Sequence, residues 1–195
     1  MGQQAICTAS RLKNSNVLAV DISKASLAYA KRKTSELNVN NIVYLQADNL
    51  DLLLLNKKFY IIKSSGVLHH MGDPLQGWRV LVDWLKAEGL LKIGLYSELA
   101  RQKISDLRAL IKELKVDNTS IGMKKFRNEL LLSDGRSYKF ITEAYDFYSM
   151  SSLRDLLFHV QGLHFTILRI IECLNRLGLR FCRFEDSVIV SSFKS

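Results

Sequence analysis

Proline is nearly missing from this sequence: Pro74 is the single one in 195 residues. A proline-rich linker is thereby excluded, and no low-complexity stretch or internal repeat marks a boundary between domains. Cysteine is scarce and odd in number. Cys7, Cys173 and Cys182 lie far apart with no C-x-x-C pair, which argues against a disulfide framework or a thiolate metal site and fits a reducing cytosol. Long apolar runs are also missing. None is longer than residues 52–55 (all leucine), far short of the roughly 18 residues that span a bilayer. No basic segment followed by an apolar stretch opens the chain, so no secretory signal is readable. The dinucleotide fingerprint G-x-G-x-x-G is nowhere present, which disfavours a nucleotide-dependent oxidoreductase.

What is present is the composition of a globular protein, 48% hydrophobic and 24% charged, with length enough for one ordinary domain. The net charge of +9 favours acidic partners such as RNA or phosphates. The excess is spread over Lys24/Lys31/Arg32/Lys33, Lys124/Lys125/Arg127 and Arg176/Arg180/Arg183, however, and a merely solvated basic surface is the favoured reading of it.

Periodicity sets the organisation. Residues 3–12 read as a short helix, and 16–21 as a buried strand ending in Asp21. Ser23 caps a helix to about Leu37, and 42–46 form the next strand. A short helix at 50–55 precedes a strand over 59–64. A helix follows from Asp73 to Ala87, stopped by Gly89, then a strand over 90–96. This β-α alternation predicts an α/β fold with a mostly parallel sheet and helices on both faces. Residues 98–116 are an amphipathic helix. Residues 117–150 read as polar and irregular, with weak helix potential near 123–132. Ser151 or Ser152 caps a helix through Gln161. Thr166 to Arg176 is a further helix closed by Gly178, and 179–184 with 188–193 read as two closing strands. The expected division is a core at 1–97, a helical insertion at 98–178 and closing strands at 179–195, within a single domain.

The most informative segment is Phe59-Tyr-Ile-Ile-Lys-Ser-Ser-Gly-Val-Leu-His-His-Met-Gly-Asp-Pro74. An apolar run of strand type breaks at Ser64-Ser65-Gly66, then passes a His-His pair to Asp73-Pro74, which suits a helix start. Residues after such a strand lie at its carboxyl end, where open α/β sheets bind ligands. Asp21 and Asp48 stand at two successive strand ends. An acid there can accept ribose hydroxyls or cap the next helix. His69 and His70 invite metal or base chemistry, but adjacent histidines diverge and no third ligand lies near except Asp73, so no metal site is expected. Asp155 and His159 share a helical face, either as a structural pair or facing a substrate. Trp78 and Trp84 are expected in the core.

The Gly66-Val-Leu-His-His-Met-Gly-Asp-Pro loop resembles the post-strand loop of class I S-adenosylmethionine-dependent methyltransferases, and the likeness runs from Gly2 to about Val190. It implies a Rossmann-like fold and S-adenosylmethionine as cofactor. Asp21 would hold the ribose and Ile22 pack on the adenine or ribose face. Asp48 and Asn49 would hold the adenine, and Ser65, Gly66 and Leu68 line the methionine and methyl channel. His70, and less directly His159, would face the acceptor. The implied reaction is methyl transfer to an acceptor that the sequence does not identify.

The chain departs from that pattern. Gly2 stands where the family's Gly-rich turn ends, and the first, central strand with the earlier glycines is absent, so a truncated copy with impaired cofactor binding is expected. The neighbouring strands would then pair with each other, or take a strand from another copy as a strand-exchanged homodimer, or fold poorly. Tyr60 replaces the usual acid of the fourth strand, and Ala87-Glu88-Gly89 the usual turn before the fifth. The alternative reading is a catalytically silent module that contacts RNA or an acidic partner through its basic surface.

Overall fold

The computed structural model describes residues 2–47, 57–68, 71–133, 138–158 and 163–185. The expected helix at 50–55 and the strand at 188–193 lie outside them, as do Asp48, Asn49, His69, His70 and His159. The fold is mixed α/β, as expected. By contact density the chain separates into one compact unit of residues 1–60 with 79–89, and a second of 61–78 with 90–195.

In the first unit, α1 (Gln3–Arg11) leads to β1 (Val17–Asp21), α2 (Lys24–Glu36) and β2 (Ile42–Gln46). β1 and β2 are parallel, in a register that runs from Val17 opposite Ile42 to Asp21 opposite Gln46. The helix start is the one expected, with the Ser23 hydroxyl accepting the Ser26 N–H. α2 is anchored to β2 by a small polar network. The buried Thr34 hydroxyl contacts both the Ala30 carbonyl (2.7 Å) and the Tyr44 hydroxyl.

The entry to this sheet is held by Asn41. Its side-chain nitrogen donates to the carbonyls of Ala9 (3.1 Å), Leu12 (3.0 Å) and Ser15 (2.9 Å), and its own carbonyl accepts the Val17 N–H (2.9 Å). One side chain thus ties the end of α1 and the start of β1 to the start of β2, giving a donor to the Ala9 carbonyl at the helix end and adding to the Ser15 donors that the Leu12 carbonyl already accepts.

α3 spans Pro74–Asp83, and β4 already begins at Leu85 and runs to Gly94. The expected helix to Ala87 is therefore about one turn too long. Trp84 leaves the helix because its carbonyl accepts the Phe59 N–H (2.7 Å) and its ring packs on that of Phe59 (centroids 5.8 Å apart). Strand pairing outweighs helical periodicity here, and β4 pairs with β3 (Phe59–Ser65). Among the described residues β1 pairs only with β2, and β3 only with β4.

The second unit has its own core. α4 (Glu98–Glu113), α5 (Ser120–Leu132), α6 (Lys139–Thr142), a 3₁₀ turn (Tyr145–Phe147) and α7 (Met150–Leu153) enclose Leu107, Ile111, Phe126, Leu130, Ile141, Phe147 and Leu153. The region expected to be irregular thus contains a full helix, α5. Thr119 caps it by accepting the Gly122 N–H, and Met123, Phe126 and Leu130 form its buried stripe. Neither Ser151 nor Ser152 is a cap, since α7 starts at Met150 and passes into a π turn at Arg154–Phe158. Two short strands, β5 (Tyr96–Ser97) and β6 (His164–Phe165), pair in parallel. α8 (Ile167–Arg176) is closed at Gly178, as expected, while Thr166, expected as its first residue, caps it by accepting the Arg169 N–H. Residues 179–184 carry no strand pairing in the described residues; their expected partner lies outside them. No helix among the described residues is long and apolar enough to cross a membrane.

Asn41→Ala is expected to cost about 2–3 kcal/mol, since it removes a donor from the Ala9, Leu12 and Ser15 carbonyls, of which that of Leu12 keeps the Ser15 amide and hydroxyl. Asn41→Asp should cost more, because a carboxylate would face those same oxygens. Urea melts of the two variants beside the parent measure both, and an Asn41→Asp protein as stable as the parent would contradict the clasp.

Candidate functional site

The first unit presents its chemistry at the carboxyl end of β1. Asp21 ends that strand, and its Oδ1 accepts the Ser23 N–H (2.8 Å). This fixes the carboxylate at the mouth of α2 and leaves Oδ2 without a protein partner among the described residues. The next residue, Ile22, is 67% exposed, an apolar side chain set in solvent beside a carboxylate. Its carbonyl accepts from the Gln46 side-chain amide (3.2 Å), so β2 braces the turn that carries both residues. Gly2 caps α1 in a left-handed conformation and lies close against Ala30 of α2. A fixed carboxylate with one free oxygen can accept a diol, and an exposed aliphatic side chain beside it offers a surface for a flat ring.

The second unit presents the end of β3. Ser64 is buried, Ser65 is half-buried, and the chain turns at Gly66, whose φ of 75° lies in the left-handed region. Among the described residues no atom would meet a side chain built on Gly66 within 4 Å, so they leave this backbone open to the approach of another molecule. Leu68 is 1% exposed, and its carbonyl accepts the Met71 N–H (3.3 Å), so its side chain contributes packing. Asp73 caps α3, its Oδ1 accepting from Leu75 (3.0 Å) and Gln76 (3.3 Å), and Pro74 is the first helical residue, both as expected. Trp78 and Trp84 are buried, again as expected.

The six described site candidates thus divide. Asp21, Ile22 and Gly2 belong to the first unit, Ser65, Gly66 and Leu68 to the second. Sequence reasoning passed over Gln46 and Asn41, which act through side-chain amides on main-chain carbonyls and so leave no motif. No group of metal-ligating side chains occurs among the described residues. Cys7 and Cys182 are exposed, whereas burial raises the Cys173 thiol above its ordinary range.

Residues 2–91 match the family model described as a methyltransferase domain. Two solved structures of PKMT2 from Rickettsia typhi share the fold at 19% identity. The complex with AdoHcy aligns with a TM-score of 0.66, over 92% of this chain and 39% of that one. The second structure aligns with a TM-score of 0.68, over 95% and 40%. An uncharacterised protein of a Synechococcus species is 32% identical over 99 residues, which is 50% of this chain and 24% of that protein. The chain therefore spans about a quarter of this curated relative and about two fifths of these solved ones. The family model thus likens residues 2–91 to a methyltransferase domain, and over nearly the whole chain the fold is that of the PKMT2 structures.

The loop after β3 rests on a close approach. A side chain at Gly94 of β4 would lie 2.9 Å from the Ser65 hydroxyl and 3.1 Å from its Cβ. Gly94→Ala is expected to cost about 1–3 kcal/mol by overpacking, and Ser65→Gly should relieve part of that cost. A double-mutant cycle in urea measures the coupling; strictly additive costs would show that Gly94 and Ser65 do not press on each other.

Proposed function

We propose that this domain binds S-adenosylmethionine and that its methyl group passes to a nucleophilic acceptor. The observation that carries the reading is the Asp21 carboxylate, held by Ser23 with one oxygen free, at a strand end inside the segment that matches the methyltransferase family. The chemistry of the donor set fits the cofactor. Asp21 Oδ2 can accept the ribose hydroxyls, and exposed Ile22 can cover a face of the adenine or ribose. Asp48 and Asn49 are proposed for the adenine and Gly2 for the carboxypropyl end. Ser65 and the open backbone of Gly66 are proposed for the methionine arm, with Leu68 supporting that loop from within.

When bound, the cofactor supplies an electrophilic methyl on a sulfonium. What the protein adds is alignment: an in-line displacement needs the acceptor held behind the methyl, and well-oriented neighbours gain several kcal/mol of barrier from position alone. His70 and His159 are proposed on the acceptor side, where an imidazole can take the acceptor's proton. The helices of 98–178 are proposed to shape that side, and they lie in the same unit as Ser65, Gly66 and Leu68.

The competing reading, a silent module gripping RNA, draws less support. Among the basic groups of α2, Arg32 and Lys33 both pair with Glu36 and lie near the Tyr29 ring.

Isothermal titration with S-adenosylhomocysteine tests the proposal. Saturable binding is expected, weakened about tenfold or more in Asp21→Ala, the scale of a lost charged hydrogen bond. Asp21→Asn, which keeps the acceptor that holds Ser23, should fall between the two. No saturable heat from a parent chain that melts cooperatively would overturn the reading.

A further inference from the structure

The second unit contains a group of cationic side chains that none of the proposed chemistry uses. β5 and β6 place Tyr96 opposite His164, so the two side chains stand on the same face of the short ladder. α4 leaves β5 at once, and Arg101 returns over that face with its guanidinium 3.6 Å from the centre of the Tyr96 ring. Arg108 lies seven residues further along α4, two helical turns, on the same side of the helix. It is anchored from behind. Its Nε donates to the Leu156 carbonyl (3.0 Å) and its Nη2 to the Asp155 carbonyl (3.2 Å), both in the π turn.

Both arginines and His164 are half-buried. The guanidinium of Arg101 has no hydrogen bond or ion pair among the described residues, and neither Arg108 nor His164 has a carboxylate partner within salt-bridge distance. All five ion pairs of the described residues lie elsewhere. The charges do feel one another. Burial, then the positive charge of Arg108 and of Arg101, holds the His164 imidazole below its ordinary range, opposed only by the exposed Glu98. Burial, followed by the charge of Arg101, likewise lowers the Arg108 guanidinium, against the pull of Tyr96.

Gathering like charges on a half-buried face, with their side chains fixed by stacking and by carbonyl bonds, costs free energy that nothing else in this unit explains. Structures usually compensate such clusters with a carboxylate, and none of the described residues supplies one within salt-bridge distance. An anion does the same work. Arginine forks suit planar or tetrahedral oxygen groups, and an anchored fork loses little entropy on binding.

We propose that Arg101, Arg108 and His164 form a binding site for an oxyanion, a carboxylate or phosphate group carried by a small-molecule ligand. Arg108 offers the donors that the π turn leaves free, and Arg101 supplies a fork held flat by Tyr96. His164 contributes a proton that becomes favourable once the anion is present, so binding tightens as pH falls through the imidazole's titration. The site stands independently of the methyl-transfer reading, and its test involves no cofactor.

The test is an NMR titration of the histidine ring protons of the whole chain, with His164 assigned by its loss in His164→Gln. Inorganic phosphate and acetate are the two probes, at ionic strength matched with sodium chloride. Saturable binding of either should raise the His164 midpoint by about one unit, as expected for an opposite charge nearby. Preference for phosphate or for acetate identifies which oxyanion the site takes. In Arg101→Gln the affinity should drop about tenfold. Arg101 is the deciding position because it anchors no backbone, whereas Arg108→Gln also frees two carbonyls of the π turn. A His164 midpoint that neither probe moves, or one that moves equally in Arg101→Gln, would overturn the proposal.

Discussion

The arrangement of the first unit depends on one amide. Asn41 binds the end of α1, the turn after it and the start of β1, and so fixes where β1 and β2 begin relative to each other. In a parallel pair, register set at one end is register everywhere. The alignment of Val17 with Ile42 therefore also places Asp21 beside Gln46 at the far end. There Gln46 steadies the Ile22 carbonyl and Asp21 steadies the first turn of α2. A carboxylate with one free oxygen beside an exposed isoleucine is thus the outcome of a clasp placed a full strand length away.

The two strand-end features differ in kind. At Asp21 the site is made of side chains, with a charge to offer. At Gly66 it is made of backbone, with room to offer and a conformation that other residues adopt only under strain. Each kind of surface suits a different part of the proposed cofactor, the carboxylate its ribose and the open backbone its methionine arm.

Much of this was legible in the residues. The β-α alternation, the Ser23 and Asp73 caps, and the closure at Gly178 follow from local rules, and the structure keeps them. The failures are of one sort. The α3 helix stops early because the Trp84 carbonyl finds Phe59, a partner 25 positions away. α5 showed only as weak helix potential near 123–132 because its stripe of Met123, Phe126 and Leu130 is interrupted by Lys124, Lys125 and Arg127, and its burial is settled by Leu107, Ile111 and Phe147 around it. Asn41 reads as turn chemistry until its three acceptors are seen. The arginine and histidine group joins residues more than fifty positions apart, and no spacing rule reaches that far.

The central claim, that this domain binds the proposed cofactor, is tested most directly by mapping amide chemical shifts of the labelled chain as S-adenosylhomocysteine is added. The account predicts that the largest saturable changes fall at residues 21–23 and 65–68, with the Gln46 side-chain amide among them. Changes concentrated elsewhere, with those residues unmoved, would contradict it.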